Sequence, residues 1–196
     1  MNTLGRVVRL QVQTAGLKRG ERPRRVYDPS PLRPVESLRL GPRGAVGVTS
    51  AGESVFDVHH ADHPATKHAP GREVSFGFTS HYARMRDRFG ERLAVGCAGE
   101  NILVAAEADR VYRLEDLGVA GLALRSAATG ALVRLRGVAV ADPCVEFSRF
   151  ALGDPSASPH DVKPVLQFLD AGTRGFVFTP AGELELRAGA SLVALL

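Results

Sequence analysis

Residues 131–141 read ALVRLRGVAVA. Apolar residues stand at Leu132, Val133 and Leu135, the run is broken by Gly137, and it resumes at Val138 and Val140. Alternation of this kind marks a half-buried strand, because successive side chains of an extended chain point to opposite faces. A lone glycine inside it suggests a bulge or a sharp bend, as at the corner of a barrel. The stretch predicts one long, bent strand in a sheet that curls.

Working outward, the same signal recurs. GRVVRLQVQ (5–13) puts Val8, Leu10 and Val12 on one face of a first strand. Val35, Leu38 and Leu40 mark a short strand before the turn Gly41-Pro42-Arg43-Gly44. Further strands are expected at 101–105, 120–125, 174–179, 184–186 and 191–195, with a turn at Pro180-Ala181-Gly182. Helices are few. TSHYARMRDRFG (79–90) offers Thr79 or Ser80 as N-cap, a stripe of Tyr82, Met85 and Phe89, and Gly90 as stop. HDVKPVLQFLDAG (160–172) places Val162, Val165, Leu166 and Leu169 on one face, with Pro164 fitting only a first turn. Residues 144–152 suggest a third, short helix. GDPSASP (153–159) is the most loop-like segment, and no repeat is seen. Many short strands with Gly/Pro turns and two or three inserted helices predict a mainly β barrel or sandwich, as one domain over 1–196.

Composition sets the outer limits. The chain has 196 residues, 44% of them hydrophobic, enough for a core without staples. It has no apolar run long enough to span a membrane and no secretory h-region, so a cytoplasmic location without membrane attachment is expected. The net charge of +4 is mild and carried mostly by arginine. Arg22-Pro23-Arg24-Arg25 reads as a solvated strand edge or turn rather than a phosphate grip, so nucleic acid is not an expected partner. The two cysteines, Cys97 and Cys144, are too few for a disulfide framework or a four-cysteine zinc site.

Three stretches can carry chemistry. GCAGEN (96–101) allows close backbone approach at Gly96 and Gly99 and sets Glu100 and Asn101 at a strand entrance. DPCVEF (142–147) ends the long strand with Cys144, where nearby backbone amides favour a thiolate. Arg174-Gly175 opens a late hairpin, and its guanidinium could hold an oxyanion with two N–H groups. Each has a plain reading as well: a tight turn, an inert thiol, a surface arginine.

In this order, G-x-x-G-E-N-I, then Pro143-Cys144, then Arg174-Gly175, the pieces resemble the MOSC family, the molybdenum cofactor sulfurase C-terminal domains. The resemblance covers most of the chain, and the first strand and the Gly44–Gly47 turn also fit that layout. It implies a strand-rich barrel with a few helices. It implies binding of molybdenum cofactor (molybdopterin), or carriage of sulfur for metal–sulfur centres, with some stand-alone members reducing N-hydroxylated compounds. The family's P-C cysteine corresponds to Cys144, with the implied role of metal ligand or persulfide carrier. Members are associated with molybdenum-ion and pyridoxal-phosphate binding. This chain has no pyridoxal-phosphate domain and no flavin or iron–sulfur signature. Sulfur would have to come from a separate cysteine desulfurase, or electrons from a donor protein, to act on a small-molecule substrate.

One segment departs from the pattern. Where many members carry Gly-Asp-x-His, this chain has GVTSAGESVFDVHHADHP (47–64). Asp57 with His59 or His60 can stand for the acid and the histidine, but the Gly-Asp pair is missing. DVHHADHP (57–64) leaves three readings open. His59 or His60 with His63, and Asp57 or Asp62, could bind zinc or iron, as in a metal-dependent hydrolase. His60, His63, Lys67 and Arg72 could line a pocket for the pterin phosphate. The histidines could also be loop residues without a ligand. KHAPGREVSFGF (67–78) extends the stretch as a long functional loop. The anion-pocket reading gives the expected site: Cys144 as ligand or sulfur acceptor; Arg174, His60, His63 and Lys67 on the anion; Glu100 and Asn101 at the pocket floor; Cys97 structural. Such a chain would be a molybdenum-dependent oxidoreductase or a sulfur-transfer component, with a sulfur relay lacking turnover of its own as the rival.

Overall fold

The computed structural model describes residues 1–106, 110–118 and 120–195. Among these residues fourteen strands, β1 to β14, run Asn2–Gln13, Lys18–Arg19, Val26–Tyr27, Leu32–Pro34, Ser37–Gly41, Gly44–Val48, Ser54–Phe56, Val74–Phe78, Ile102–Ala106, Leu122–Arg125, Leu132–Val140, Phe176–Pro180, Leu184–Arg187 and Ser191–Ala194. Helices α1, α2 and α3 are Thr79–Phe89, Val145–Leu152 and Pro159–Leu169, with a 3-10 turn at Leu114–Leu117. The strands order as β14-β10-β11-β12-β8-β9-β1, and β14 pairs back onto β1, which closes a seven-stranded barrel. Closure removes the unpaired edges of an open sheet. The tail of β1 runs past the barrel to pair with β4, and β13-β5-β6-β7 form a second sheet.

The barrel is filled from alternate strand positions. Phe76, Phe78, Phe176 and Phe178 are fully buried, and Phe76 stacks on Phe176 at 5.1 Å. Each such side chain stabilises the fold by about 1.5–3 kcal/mol on burial. Outward residues make a second core under the helices, where Leu103 of β9 meets Tyr82 and Met85 of α1, Phe147 of α2 and Leu169 of α3. The stripe expected on the first helix thus packs as core. Gly137 has φ 61°, and the β11–β12 register shifts between Arg136 and Ala139, so the glycine does bend the long strand.

The structure corrects five expectations. Val74–Phe78 is a central barrel strand rather than loop; it lies parallel to β9, and α1 is the crossover that a parallel pair requires. Residues 44–48 are strand β6 rather than a turn. In β1, Val7 is buried and Val8 exposed, because a register shift between Val7 and Arg9 reverses the alternation. Helix α1 is preceded by Phe78, which offers no side-chain cap. Pro164 sits beyond the first turn of α3; the helix starts at Pro159, capped by Ser158, whose Oγ accepts the Asp161 N–H at 3.3 Å. No helix among the described residues is long and apolar enough to cross a membrane.

Candidate functional site

Asp57 leaves β7 with a carboxylate that has no exposed surface. A buried charge persists only where hydrogen bonds replace water. Here Oδ2 accepts from the Gln13 backbone N–H at 2.7 Å and from Asn101 Nδ2 at 2.8 Å. Oδ1 accepts from the His59 backbone N–H at 2.9 Å and lies 2.8 Å from His59 Nδ1. One carboxylate therefore ties together the end of β1, the GCAGEN turn and the histidine loop. Asn101 also accepts from the Ser75 backbone N–H at 3.0 Å, which fixes the start of β8 to the same knot.

These ties bound a cleft of about 230 Å³ whose wall includes Gln13, His59, Lys67, Arg72, Glu100, Asp142 and Arg174. Glu100 is buried and accepts the Tyr82 hydroxyl at 2.7 Å; that hydroxyl in turn accepts the Ala98 N–H at 2.9 Å. Burial pushes the Glu100 carboxyl above the usual carboxylate range, against the opposing pull of Tyr82 and Arg174. Space for this carboxyl is made by glycine: a Cβ on Gly77 would lie 2.7 Å from Glu100 Oε1. Arg174 donates from Nη1 to the Asp142 carbonyl at 2.8 Å and from Nη2 to the Ala98 carbonyl at 3.4 Å. Its Nε is buried without a hydrogen bond. Arg72 pairs with Asp142 across the rim. The wall carries more cationic groups than carboxylates and suits an anion.

Glu100, Lys67 and Arg174, with Arg72, meet at this cleft. Asn101 stands behind its wall as the clamp on Asp57 and β8. His60 and His63 do not line it, which corrects the expected anion pocket. The His60 Nδ1 accepts the Asp62 N–H at 3.1 Å, and its ring lies 4.7 Å from Phe56 in a separate groove with Arg43 and Glu183. Burial lowers its pKa below the usual histidine value. His63 stands in a surface turn, its Nδ1 accepting the Ala65 N–H at 3.0 Å. The succession of turns sends the three histidines in different directions, and the one facing the cleft is His59. The zinc or iron reading fails on the same ground: among the described residues no three His, Cys, Asp or Glu side chains gather at a metal-binding distance.

Cys144 is the residue before α2 and is partly exposed. It packs beside the core under the helices and is not on the cleft wall. Two residues earlier, the Asp142 carbonyl receives Arg174, so the cysteine segment and the cleft are joined by that bond. Cys97 is buried, its thiol pushed up to about 12, chiefly by burial, and its carbonyl accepts the Tyr27 hydroxyl at 2.8 Å. Residue patterns alone left Gln13, Ser75 and Asp142 unnoticed and left His59 and His60 as open alternatives for the histidine beside Asp57; the structure puts His59 there. The signal for His59 was the Asp-x-His spacing, which lets a carboxylate bind both the backbone N–H and the ring of the residue two places on.

No family model matches the sequence, and no curated protein does. Solved structures do. YiiM from Geobacillus stearothermophilus superposes with a TM-score of 0.54 at 18% identity, covering 97% of this chain and 75% of that one. YuaD from Bacillus subtilis gives 0.52 at 14% identity, covering 96% and 97%. YiiM from Escherichia coli gives 0.51 at 15%, covering 84% and 66%. The fold is MOSC-like. At such identities the likeness is one of architecture, and the chemistry of the MOSC-like barrel has to be argued from its own cleft.

Proposed function

We propose that this MOSC-like barrel binds molybdenum cofactor. The cleft of His59, Lys67, Arg72 and Arg174 would take the anionic end, and Cys144 would be the sulfur presented to the metal or loaded as persulfide. The observation that carries the reading is the cationic wall of Lys67, Arg72 and Arg174, with the Arg174 guanidinium held in place by the Asp142 and Ala98 carbonyls. A planar guanidinium fixed in this way meets a phosphate or other oxyanion with charge-assisted hydrogen bonds. The cleft fits the anionic end of the group, while Cys144 lies off its wall and is joined to it through the Asp142 carbonyl. The cleft, at about 230 Å³, has room for the anionic end rather than a whole pterin. Cys144 would supply one sulfur, and among the described residues no group of three His, Cys, Asp or Glu side chains gathers to hold a metal, so most of the ligands would be the cofactor's own.

When bound, the group supplies two-electron redox chemistry and a soft-ligand centre. The chain's part is recognition and proton handling. Arg174 and Lys67 neutralise the anion, and Arg174 holds the cysteine segment through the Asp142 carbonyl. His59 has Nδ1 committed to Asp57, which leaves Nε2 as the nitrogen able to exchange a proton with a ligand. Two cysteines cannot ligate an iron–sulfur cluster through four thiolates, so a separate electron donor or a cysteine desulfurase belongs to this function.

Metal and pterin analysis of protein expressed with molybdate tests the reading. Molybdenum and pterin should copurify with the wild-type chain, molybdenum should be lost in Cys144→Ala, and both should fall in Arg174→Ala. Persulfide on Cys144 without molybdenum or pterin would move the assignment to a sulfur relay. A folded protein that takes up neither sulfur nor cofactor would end the proposal.

A further inference from the structure

On the far side of the cysteine segment lies a second depression, about 270 Å³ in volume. Asp142 faces the first cleft and Glu146 this one, so residues 142–146 form the partition between them. The depression has an aromatic and aliphatic floor. Tyr27 and Phe150 stand 5.3 Å apart, Phe147 packs beneath Tyr27 at 5.0 Å, and Val26 is 41% exposed beside them. Val26 and the partly exposed Phe150 are apolar surface left open to solvent, with the buried Tyr27 beneath them.

Around this floor stand three arginines, Arg25, Arg92 and Arg149. Two are held in place by backbone. Arg92 lies against Gly153, where a Cβ would come within 2.1 Å of its Nη1, and donates to the Ala151 carbonyl at 3.2 Å. Arg149 donates from Nε to the Ala157 carbonyl at 3.1 Å. Anchoring one N–H of each pre-organises the rest of the fork, and pre-organised donors lose less entropy on binding. The single acid on the wall, Glu146, is already shared by Lys18 at 3.2 Å and Arg25 at 3.7 Å. The wall therefore keeps a surplus of positive charge.

We infer that this depression is a binding site for a small planar aromatic anion, an aryl carboxylate or its equivalent. The ring would lie on Phe150 and Val26, above the buried Tyr27, with the charged group on the arginine forks. An inorganic anion would leave the apolar floor uncovered, and a neutral arene would leave the guanidiniums without a counter-charge. The site goes beyond the cofactor cleft and does not depend on what fills it.

Titration of the full chain with naphthoate, followed by calorimetry and by NMR of the Val26 methyl groups, tests the inference. Naphthoate should bind about tenfold or more tightly than the isosteric neutral naphthamide, because an arginine–carboxylate pair is charge-assisted. Rising salt should weaken it. Val26→Asp places a like charge on an exposed position, and Arg25→Ala removes one fork; each should weaken naphthoate about tenfold. Arg174→Ala should leave it unchanged, whatever that variant does to molybdenum. Equal affinity for naphthoate and naphthamide, or affinity indifferent to Val26→Asp and Arg25→Ala, would overturn the site. Loss of naphthoate binding in Arg174→Ala alone would place the probe in the other cleft and overturn it equally.

Discussion

The imidazole Nδ1 of His59 lies 2.8 Å from Oδ1 of Asp57, whose carboxylate is fully enclosed. The contact fixes the tautomer: the carboxylate only accepts, so Nδ1 carries the proton and Nε2 is left basic. It also makes Asp57 indispensable to three chain segments at once. In Asp57→Asn an amide N–H must face the N–H groups of Gln13, Asn101 or His59. We expect a loss of about 2–4 kcal/mol in urea unfolding. In ¹⁵N NMR, the wild-type His59 should show a proton on Nδ1, and the variant a mixture of tautomers. A variant as stable as wild type would show that the carboxylate is no hub.

Gly175 shows how little room lies behind the cleft. Its φ is +106°, and a Cβ there would lie 2.7 Å from the Phe76 carbonyl oxygen and 3.2 Å from Glu100 Cγ. Gly71 also has positive φ, at +82°, but its Cβ would meet open space. Gly71→Ala should therefore cost about 1 kcal/mol of backbone strain alone. Gly175→Ala should cost about 2–4 kcal/mol, because backbone must also move. The comparison of the two melting curves separates strain from collision.

Much of this architecture could be read from residue patterns, and the failures have physical causes. Long alternating runs announced β11 and the end of β1, and a 3.6-residue stripe announced α1. The strand Val74–Phe78 does alternate at Val74, Phe76 and Phe78, but the run is short, a Gly/Pro-rich loop precedes it and helix α1 follows without a break; its neighbours β9 and β12 show why those three side chains turn inward. In the site, Glu100 and Arg174 stood out because glycines flank them. The histidines of DVHHADHP could not be sorted by spacing, since the direction of each ring is set by turn hydrogen bonds to Asp62, Ala65 and Asp57. Asp142 had no local signal at all; its carbonyl matters because Arg174, distant in sequence, donates to it.

Arg174→Lys tests whether planar, multidentate donation is what the cleft needs. A lysine keeps the charge but cannot reach the Asp142 and Ala98 carbonyls while aiming a further N–H at a ligand. Pyrophosphate, as a stand-in for a phosphate-bearing ligand, should raise the melting temperature of wild type. In the variant its affinity should drop about tenfold, the value of one charge-assisted hydrogen bond. Retained affinity in Arg174→Lys would reduce the residue to a point charge.

His81 should make the fold sensitive to acid. The residue is about 1% exposed, its ring lies 5.3 Å from Phe78 and 6.2 Å from Phe176, and among the described residues neither nitrogen forms a hydrogen bond of good geometry, although the backbone of Tyr112 and Gly172 partly opposes the effect of burial. Burial, the largest influence, lowers its pKa from 6.5 to about 4. The unfolded chain takes up a proton on this residue as pH falls below about 6.5, while the folded chain does so only near pH 4, so the depressed value favours folding at neutral pH. That contribution is full above about pH 6.5, shrinks as pH falls, and is gone once pH has passed the folded value. Over the window from 6.5 to about 4 it amounts to about 3 kcal/mol at 1.36 kcal/mol per unit. His81→Leu, of similar size and uncharged, removes the titration. Carboxylates elsewhere act on both proteins alike and cancel in the difference. Urea unfolding of the two at pH 7 and again near pH 4 should show the stability gap shifting by about 3 kcal/mol in favour of the variant at the lower pH. Parallel pH profiles would mean that the ring is hydrated or paired in solution and titrates as an ordinary histidine.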